Sequence, residues 1–497
     1  MYQMVSCAQA ALVPGRPGPE PGWKEVARLQ AEKAELRERV RVLEATVAER
    51  DEVLRRSVEV TQRRLAAVEL VCFASNVSLR GTQEIVEAAF GEEYRPGLGS
   101  LQEQMVDHEK VARDLLDQAR GQVRERLRCV MADDVYFHRV DVKVVADPDT
   151  MALLNLGRWK GSSGLDWAIW LEEYPNLDLV VSDLGKDLVG AVGQLGLPHA
   201  ADFFHEMRWF DQKVLEPLSR AEAALREEWM RSLDRATRVE GPGRRLSPAR
   251  EEAARLRAEA AEREFFTAMT AVDRIRDLYD PINPRTRRLW TDKEAESALD
   301  EVIAMLSSLH HPAGRRGARH VREHRRRYYA HLVVFDAIEV PLRSGADWHP
   351  RSILNGLIRL WDLRRGLDEP GEWRDYADWL DRRRLADTLE RHLRRQCLDL
   401  DAVAVRLRKE LHRPKRSSSG IESLNSRLRV LQMVHRNVSD GMLALYALSW
   451  NLKPREAGDP RGGDSPYDAL GVDIGQGGGK PWYDVLLDAE DRAKLAA

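Results

Sequence analysis

Residues Leu177 to Trp209 read LDLVVSDLGKDLVGAVGQLGLPHAADFFHEMRW. Leu177, Leu179, Val180 and Val181 make a short apolar, β-branched run that ends in a lone acid, Asp183. A glycine follows, then Leu188-Val189-Gly190-Ala191-Val192, which suits a short helix, and then Ala201-Asp202-Phe203-Phe204-His205. The pattern predicts strand, turn, helix, strand, with Asp183 exposed where the first strand ends. In open α/β sheets ligands gather at the carboxyl ends of strands. A carboxylate there is placed for metal chemistry, and the question becomes which other acids it works with.

Upstream, Leu127 to Phe137, LRCVMADDVYF, is strand-like and carries the acid pair Asp133-Asp134 at its centre. Val142 to Ala146, a turn at Asp147-Pro148-Asp149, and Met151 to Leu156 complete an antiparallel meander. A helix at Leu165–Tyr174, with Trp167 and Trp170, crosses over to the Asp183 strand. The predicted order is strand, strand, strand, helix, strand, helix, strand. This is a mixed α/β unit with one acid in its first strand and another at the end of its fourth.

From about residue 210 to 412 the texture is helical, as in AEAALREEWMRSLDRA and DKEAESALDEVIAMLSSL, with Pro and Gly at the joins. Ser417 to Gly420 then reads as a loop that starts a helix, with Glu422 in its first turn and Leu424, Leu428, Leu431 and Val434 at helical spacing. An acid in a first turn also suits the helix dipole alone. The tail after Pro454 is rich in Gly and Asp. Its GQGGGK lacks the Ser/Thr and the preceding strand of a phosphate-binding loop, so residues 455–497 read as a flexible tail.

At the other end, residues 1–22 are rich in Pro and Gly and read as disordered. A helix from Trp23 carries a heptad seam: Val26, Val40, Val47 and Leu54 on one position, Leu29, Leu36 and Leu43 on the other, with Lys33 and Arg50 as breaks. This predicts a coiled coil over 23–60; a long helix lying on the protein's own body has the same pattern. Residues 61–122 are helical with two breaks. Ser78 caps a helix with Ile85, Val86, Ala89 and Phe90 as its buried stripe, and Ser100 caps the next. The pair fits a helix-turn-helix that binds DNA, and equally an ordinary helical hairpin.

The 497 residues allow roughly two to four domains. No apolar run approaches the roughly 18–20 residues that span a membrane, and the N-terminus lacks the basic start of a signal peptide. Cys7, Cys72, Cys129 and Cys397 show no metal-site spacing, which fits a reducing compartment. The net charge of −3 hides segregation: Arg315 to Arg327, RRGARHVREHRRR, holds seven arginines against one glutamate. Arg406 to Arg416 is also basic. A polyanion partner is therefore compatible with overall neutrality.

With Asp133, Asp183 and Glu422 in this order, the chain resembles the DDE transposases of bacterial insertion sequences, which have a ribonuclease-H-like catalytic core. ADDVYF resembles the family's first-strand acid, with Asp133 preferred over Asp134 by its Ala-Asp-x-Val context. VVSDLGKDL resembles the second acid, with Asp187 a weaker competitor. DFFH, Asp202 to His205, resembles an Asp-x-Phe-His string on the next strand, and IESLNSRLR the helix of the final glutamate. The resemblance covers about 125–212 and 413–454, and the long separation of Glu422 from Asp183 fits members with a helical insertion. It implies a core in two parts, 123–212 and 413–454, around an all-α insertion at 213–412, in a mostly helical chain.

The resemblance further implies metal-dependent cleavage of the element's DNA ends and transfer of the 3′-hydroxyl to target DNA. Two Mg²⁺ (or Mn²⁺) ions about 4 Å apart are held by carboxylates, Asp133 bridging and Asp183 and Glu422 each holding one. His205 and Asp134 are candidates for supporting positions, and a core histidine is the alternative for His205. Arg315, Arg316, Arg325, Arg326 and Arg327, with Asn425 and Arg429, are candidate contacts to DNA phosphate; a solvated face is their alternative. Trp361, Trp373 and Trp379 read as core. Implied partners are double-stranded DNA and a second protomer or more, in a bacterial cytoplasm at the nucleoid, with no membrane. A non-enzymatic DNA-binding regulator descended from a transposase, and a ribonuclease-H-like nuclease without strand transfer, are the competing readings.

Overall fold

A computed structural model describes residues 23–137, 140–159, 164–238, 248–368, 376–412, 419–435, 437–455, 462–477 and 479–496. The expected disorder of 1–22, Trp373, and the side chain of Glu422 lie outside the described residues. The described chain is mostly helical, with one mixed five-stranded sheet. Two compact units divide it at Leu70 and Val71.

In the first unit, the residues from Trp23 onward are one continuous helix, the start of Trp23–Ala74. The helix runs without a break past residue 60, the expected limit of the coiled coil, into residues also expected to be helical. Neither proline nor glycine interrupts it, and it is rich in Ala, Leu, Glu and Arg, all strong helix formers.

The second unit is built around the sheet, whose order is β3-β2-β1-β4-β5. Strands β1 (Cys129–Phe137), β2 (Val140–Ala146) and β3 (Leu153–Trp159) form the expected antiparallel meander. Strands β4 (Leu179–Ser182) and β5 (His199–Ala201) run parallel to β1 and to each other. The two crossovers are the helices Gly164–Glu172 and Lys186–Gln194. The strands are apolar on both faces, with Val130, Met131, Ala132, Val144, Val145, Val180 and Val181 buried, as parallel strands covered by helices require.

One strand is shorter than its sequence suggests. β5 ends at Ala201, and Asp202 is not in the strand but caps the helix Phe203–Phe210. Its side chain accepts the His205 backbone N–H at 3.0 Å. The apolar Phe203-Phe204 pair that looked strand-like belongs to the helix, because an N-capping aspartate satisfies a free helical N–H that a strand would not offer.

Upstream of the sheet, Ser78 caps the helix Leu79–Phe90 as expected, accepting the Gly81 N–H at 3.1 Å. The buried face of this helix is Thr82, Gln83 and Val86, whereas Ile85 is exposed. The next helix, Leu98–Val123, begins two residues before Ser100 and has no side-chain cap. It packs against the helix Asp440–Leu452, and Leu101, Met105, Ala112 and Leu115 are among its buried residues. Gly441 sits where a side chain would collide with Glu109.

Between the two parts of this sheet-and-helix core lies a helical region. Glu216–Arg238 packs on Pro248–Leu278, and Asp292–Ser307 on Pro312–His324. Pro350–Asp368 packs on Tyr376–Gln396. It is not purely helical: a two-residue hairpin, Ile282–Asn283 with Arg288–Leu289, interrupts it. Trp361 and Trp379 are only half-buried, with Arg408 over the first ring and Arg383 over the second.

The tail departs furthest from expectation. Residues 462–477 and 479–496 are ordered, with helices at Pro466–Leu470 and Trp482–Ala496. Tyr467, Val472, Ile474, Trp482, Val485 and Leu486 are buried. Glu490 is hydrogen-bonded to His108 inside the protein. The glycines supply turns, Gly471 and Gly475 having positive φ, and the apolar residues between them decide the outcome.

Candidate active site

Strand register brings the first two acids together. β1 and β4 pair in parallel through Met131↔Val181 and Ala132↔Ser182. One step further, Asp133 and Asp183 stand alongside each other on strands about 4.8 Å apart. β4 and β5 pair through Ser182↔Ala201, and the Asp202 N–H donates to the Ser182 carbonyl at 2.7 Å. The acids at 133, 183 and 202 thus line up across the sheet, Asp133 in the middle of β1 and the other two just past the carboxyl ends of β4 and β5.

Alternation along β1 separates Asp133 from Asp134. Asp133 is buried, at 4% exposure, and accepts from Asn425 Nδ2 at 2.8 Å. Burial first, and the neighbouring Asp183 carboxylate second, push its pKa up to about 7. Asp134 points to the other face of the sheet. It pairs in register with Lys143, a fully buried lysine whose ammonium lies 4.6 Å from the Trp167 ring centroid. Burial raises Asp134 to about 6, against the lowering influence of Lys143. Of the adjacent pair, only Asp133 faces Asn425.

Asp183 is exposed just beyond β4. Its Oδ1 accepts the Gly185 N–H at 2.9 Å, and the Leu184 N–H donates to Ser182 Oγ at 3.1 Å. Leu184 between them has φ +65, a left-handed conformation that costs a branched residue about 1–3 kcal/mol. The hydrogen bond from Gly185 across this turn restrains the carboxylate. Behind it, Ser182 Oγ is 2.7 Å from His199 Nε2, and burial together with Arg327 and His324 pulls that histidine down to about 3.

His205 completes the cluster. Its Nδ1 lies 3.6 Å from Asp202 Oδ1, and Asp202 is fully buried. The Asp202 carboxylate, with further help from Asp133 and Asp183, raises His205 to about 9, so it is an imidazolium at neutral pH. The sequence pointed to His205 but not to Asp202 as the residue that charges it; the signal was in the DFFH string, read there as strand.

Glu422 is on the helix Ser419–Val434, which packs against β1. Asn425 lies three residues on, so the two positions are one turn apart on the same side of the helix. Asn425 itself is buried at 3% and committed to Asp133, which removes it from the candidate DNA contacts. Its Oδ1 has no partner among the described residues. Arg429 is exposed. Among the described residues no group of three His, Cys, Asp or Glu is arranged to hold a metal ion.

The arginine cluster divides. Helix Pro312–His324 turns Ala313, Gly314, Gly317 and Ala318 inward, where a Cβ on Gly314 would strike the Leu306 carbonyl. Arg315, Arg316, Arg319 and Arg326 face outward, exposed, with no carboxylate partner among the described residues. Arg325 is different: it is ion-paired with Glu296 and Asp300. Arg327 is half-buried and donates to His324 Nδ1 at 2.8 Å. Its segment packs against β5. A buried network fastens this basic element to the helix after β5: Glu206 accepts from Tyr328 at 2.9 Å and meets His320 at 2.9 Å, with Trp209 stacked on that imidazole.

No helix of the described residues is long and apolar enough to cross a membrane. Comparison of the chain with protein-family models, with curated proteins and with solved structures finds no match.

Proposed function

We propose that the chain is a DNA transposase of the DDE type, built on a ribonuclease-H-like core, that cleaves and transfers DNA strands with the help of divalent metal. The observation that carries this reading is the juxtaposition of Asp133 and Asp183 on adjacent parallel strands, with the Glu422 helix docked on β1 through Asn425. Elements far apart in sequence converge on that one strand end.

The residues present fit a hard dication. Asp133 and Asp183 offer carboxylate oxygen only, and the Asp183 carboxylate raises the cost of ionising Asp133, a cost that a cation offsets. Asp133, Asp183 and Glu422 would hold Mg²⁺ or Mn²⁺, which when bound activates water and stabilises the leaving 3′-oxygen. The protein's own contribution is positional. Asn425 fixes the Asp133 carboxylate, the Leu184 turn fixes Asp183, and Asp202 holds a cationic His205 beside both, where it favours an anionic phosphate. The outward row Arg315, Arg316, Arg319 and Arg326 supplies sequence-independent attraction for the DNA backbone.

The test is cleavage of duplex DNA taken from the gene's own flanks, with Mg²⁺ or Mn²⁺, wild type beside Asp183→Asn. Metal-dependent cuts at defined ends, lost in the variant while binding survives, support the proposal. Specific binding without any cut would favour the regulatory descendant, and cutting without joining a nuclease.

A further inference from the structure

The helix that opens the chain carries an apolar seam with no cover among the described residues. Val26, Leu29, Leu36, Leu43, Val47 and Leu54 are 38–62% exposed, and they recur on the two core positions of a heptad. Six large apolar side chains in one stripe about 43 Å long, at 1.5 Å rise per residue, form a surface that water disfavours. We propose that this seam pairs with the same seam of a second copy of the chain, as a parallel two-stranded coiled coil in register over Val26–Leu54. This inference stands on the helix alone and holds whether or not the chain is a transposase.

Three features choose the occupant and its direction. The first core position carries Val26, Val40 and Val47 and the second Leu29, Leu36 and Leu43. β-Branched residues at the first with leucine at the second favour two parallel strands. The flanking charges then choose the register. In a parallel pair each residue before the first core position faces, on the partner, the residue five further on. Glu32 thus meets Arg37 and Arg39 meets Glu44, while Glu25 meets Gln30 and Thr46 meets Asp51. Both charged flanking pairs are attractive, and like charges meet only in the core layers of Lys33 and Arg50. A slip of one heptad sets Glu32 against Glu44 and Arg39 against Arg37. An antiparallel pairing centred on the same layers sets Arg37 against Arg37 and Arg39 against Arg39.

Lys33 and Arg50 in the seam are the third feature. They weaken the pairing, but a lysine at a single core position also penalises registers that place it against a valine or leucine layer. Within its own helix Glu32 has only Arg28, at 3.5 Å, and both are exposed. Such a pair is worth little and can exchange for the partner's Arg37 at small cost.

The experiment uses the full chain. Light scattering is expected to give twice the chain mass. Leu36→Cys, in a Cys7→Ser background, should form a disulfide-linked dimer on mild oxidation, because core side chains at that layer face each other across the pair. Ala45→Cys, on the outer side, should not. Glu32→Arg turns two symmetric attractive pairs into repulsive ones and should weaken the dimer roughly tenfold. Adding Arg37→Glu to it should restore the wild-type dissociation constant. A monomer at tens of micromolar overturns the proposal and points to the chain's own body as the cover. A dimer in which Leu36→Cys fails to cross-link overturns the parallel register. Equal weakening by Glu32→Arg with and without Arg37→Glu overturns the assigned charge pairs.

Discussion

Replacing Asp133 with Asn removes a buried charge while keeping the oxygen that accepts from Asn425. The folded protein holds this carboxyl at about 7 against an ordinary 3.8, through burial and through Asp183. An acid whose pKa is raised on folding binds its proton more tightly in the folded state. Its ionisation therefore costs nothing below about pH 3.8, costs more as pH rises, and reaches its full cost above about pH 7. A shift of roughly three units at about 1.36 kcal/mol each gives a full cost of about 4 kcal/mol. At pH 5 only about 1.6 kcal/mol of it is present. Asp133→Asn should therefore be more stable than wild type in chelator-containing buffer, by about 4 kcal/mol at pH 8 and about 1.6 kcal/mol at pH 5. Denaturant unfolding of the two proteins at both pH values measures this; groups that do not sense Asp133 cancel in the difference, whereas His205, which Asp133 helps to charge, does not. A gain that is absent, independent of pH, or larger at pH 5 would refute the argument. Saturating Mg²⁺ should erase much of the wild-type deficit at pH 8 and stabilise the variant less, because the variant keeps the Asp183 and Glu422 carboxylates but lacks the one between them.

Other outcomes follow from neighbouring contacts. Asn425→Ala strips Asp133 of its one side-chain donor among the described residues and should destabilise the protein by about 1–3 kcal/mol at pH 8, read by unfolding, while DNA affinity stays unchanged. Changing Arg315, Arg319 and Arg326 together to Ala should lower the slope of log affinity against log salt by up to about 3, read by DNA-binding titrations. Arg325→Ala, whose guanidinium is tied to Glu296 and Asp300, should leave that slope alone and cost at most about 1 kcal/mol of stability. Removing residues 481–497 uncovers the sites of Trp482, Val485, Leu486 and Leu487. At about 1.5–3 kcal/mol for each buried side chain, this loss rivals the stability of a whole domain, and the truncated chain should melt at least about 10 °C lower or fail to fold.

Local periodicity determined much of the fold without any tertiary information. Short apolar runs separated by turns announced the meander, the β-branched run before Asp183 announced β4, and Ser78 announced the helix it caps. Each of these depends on neighbours within a few residues, so the sequence carries them. The tertiary structure decided what depends on remote partners. Asp133 and Asp134 are adjacent, and the sequence preferred Asp133 only by the resemblance of its context; the sheet's two covers separate them physically, Asn425 on one side and Lys143 with Trp167 on the other. Asn425 reads as a phosphate contact until its helix docks on β1. Arg325 and Arg326 are adjacent in the same cluster, yet only the first meets the acids of helix Asp292–Ser307. The Gly-rich tail reads as a linker because composition is counted along the chain, whereas burial depends on whether a few residues, here Trp482 to Leu487, find an apolar surface to cover.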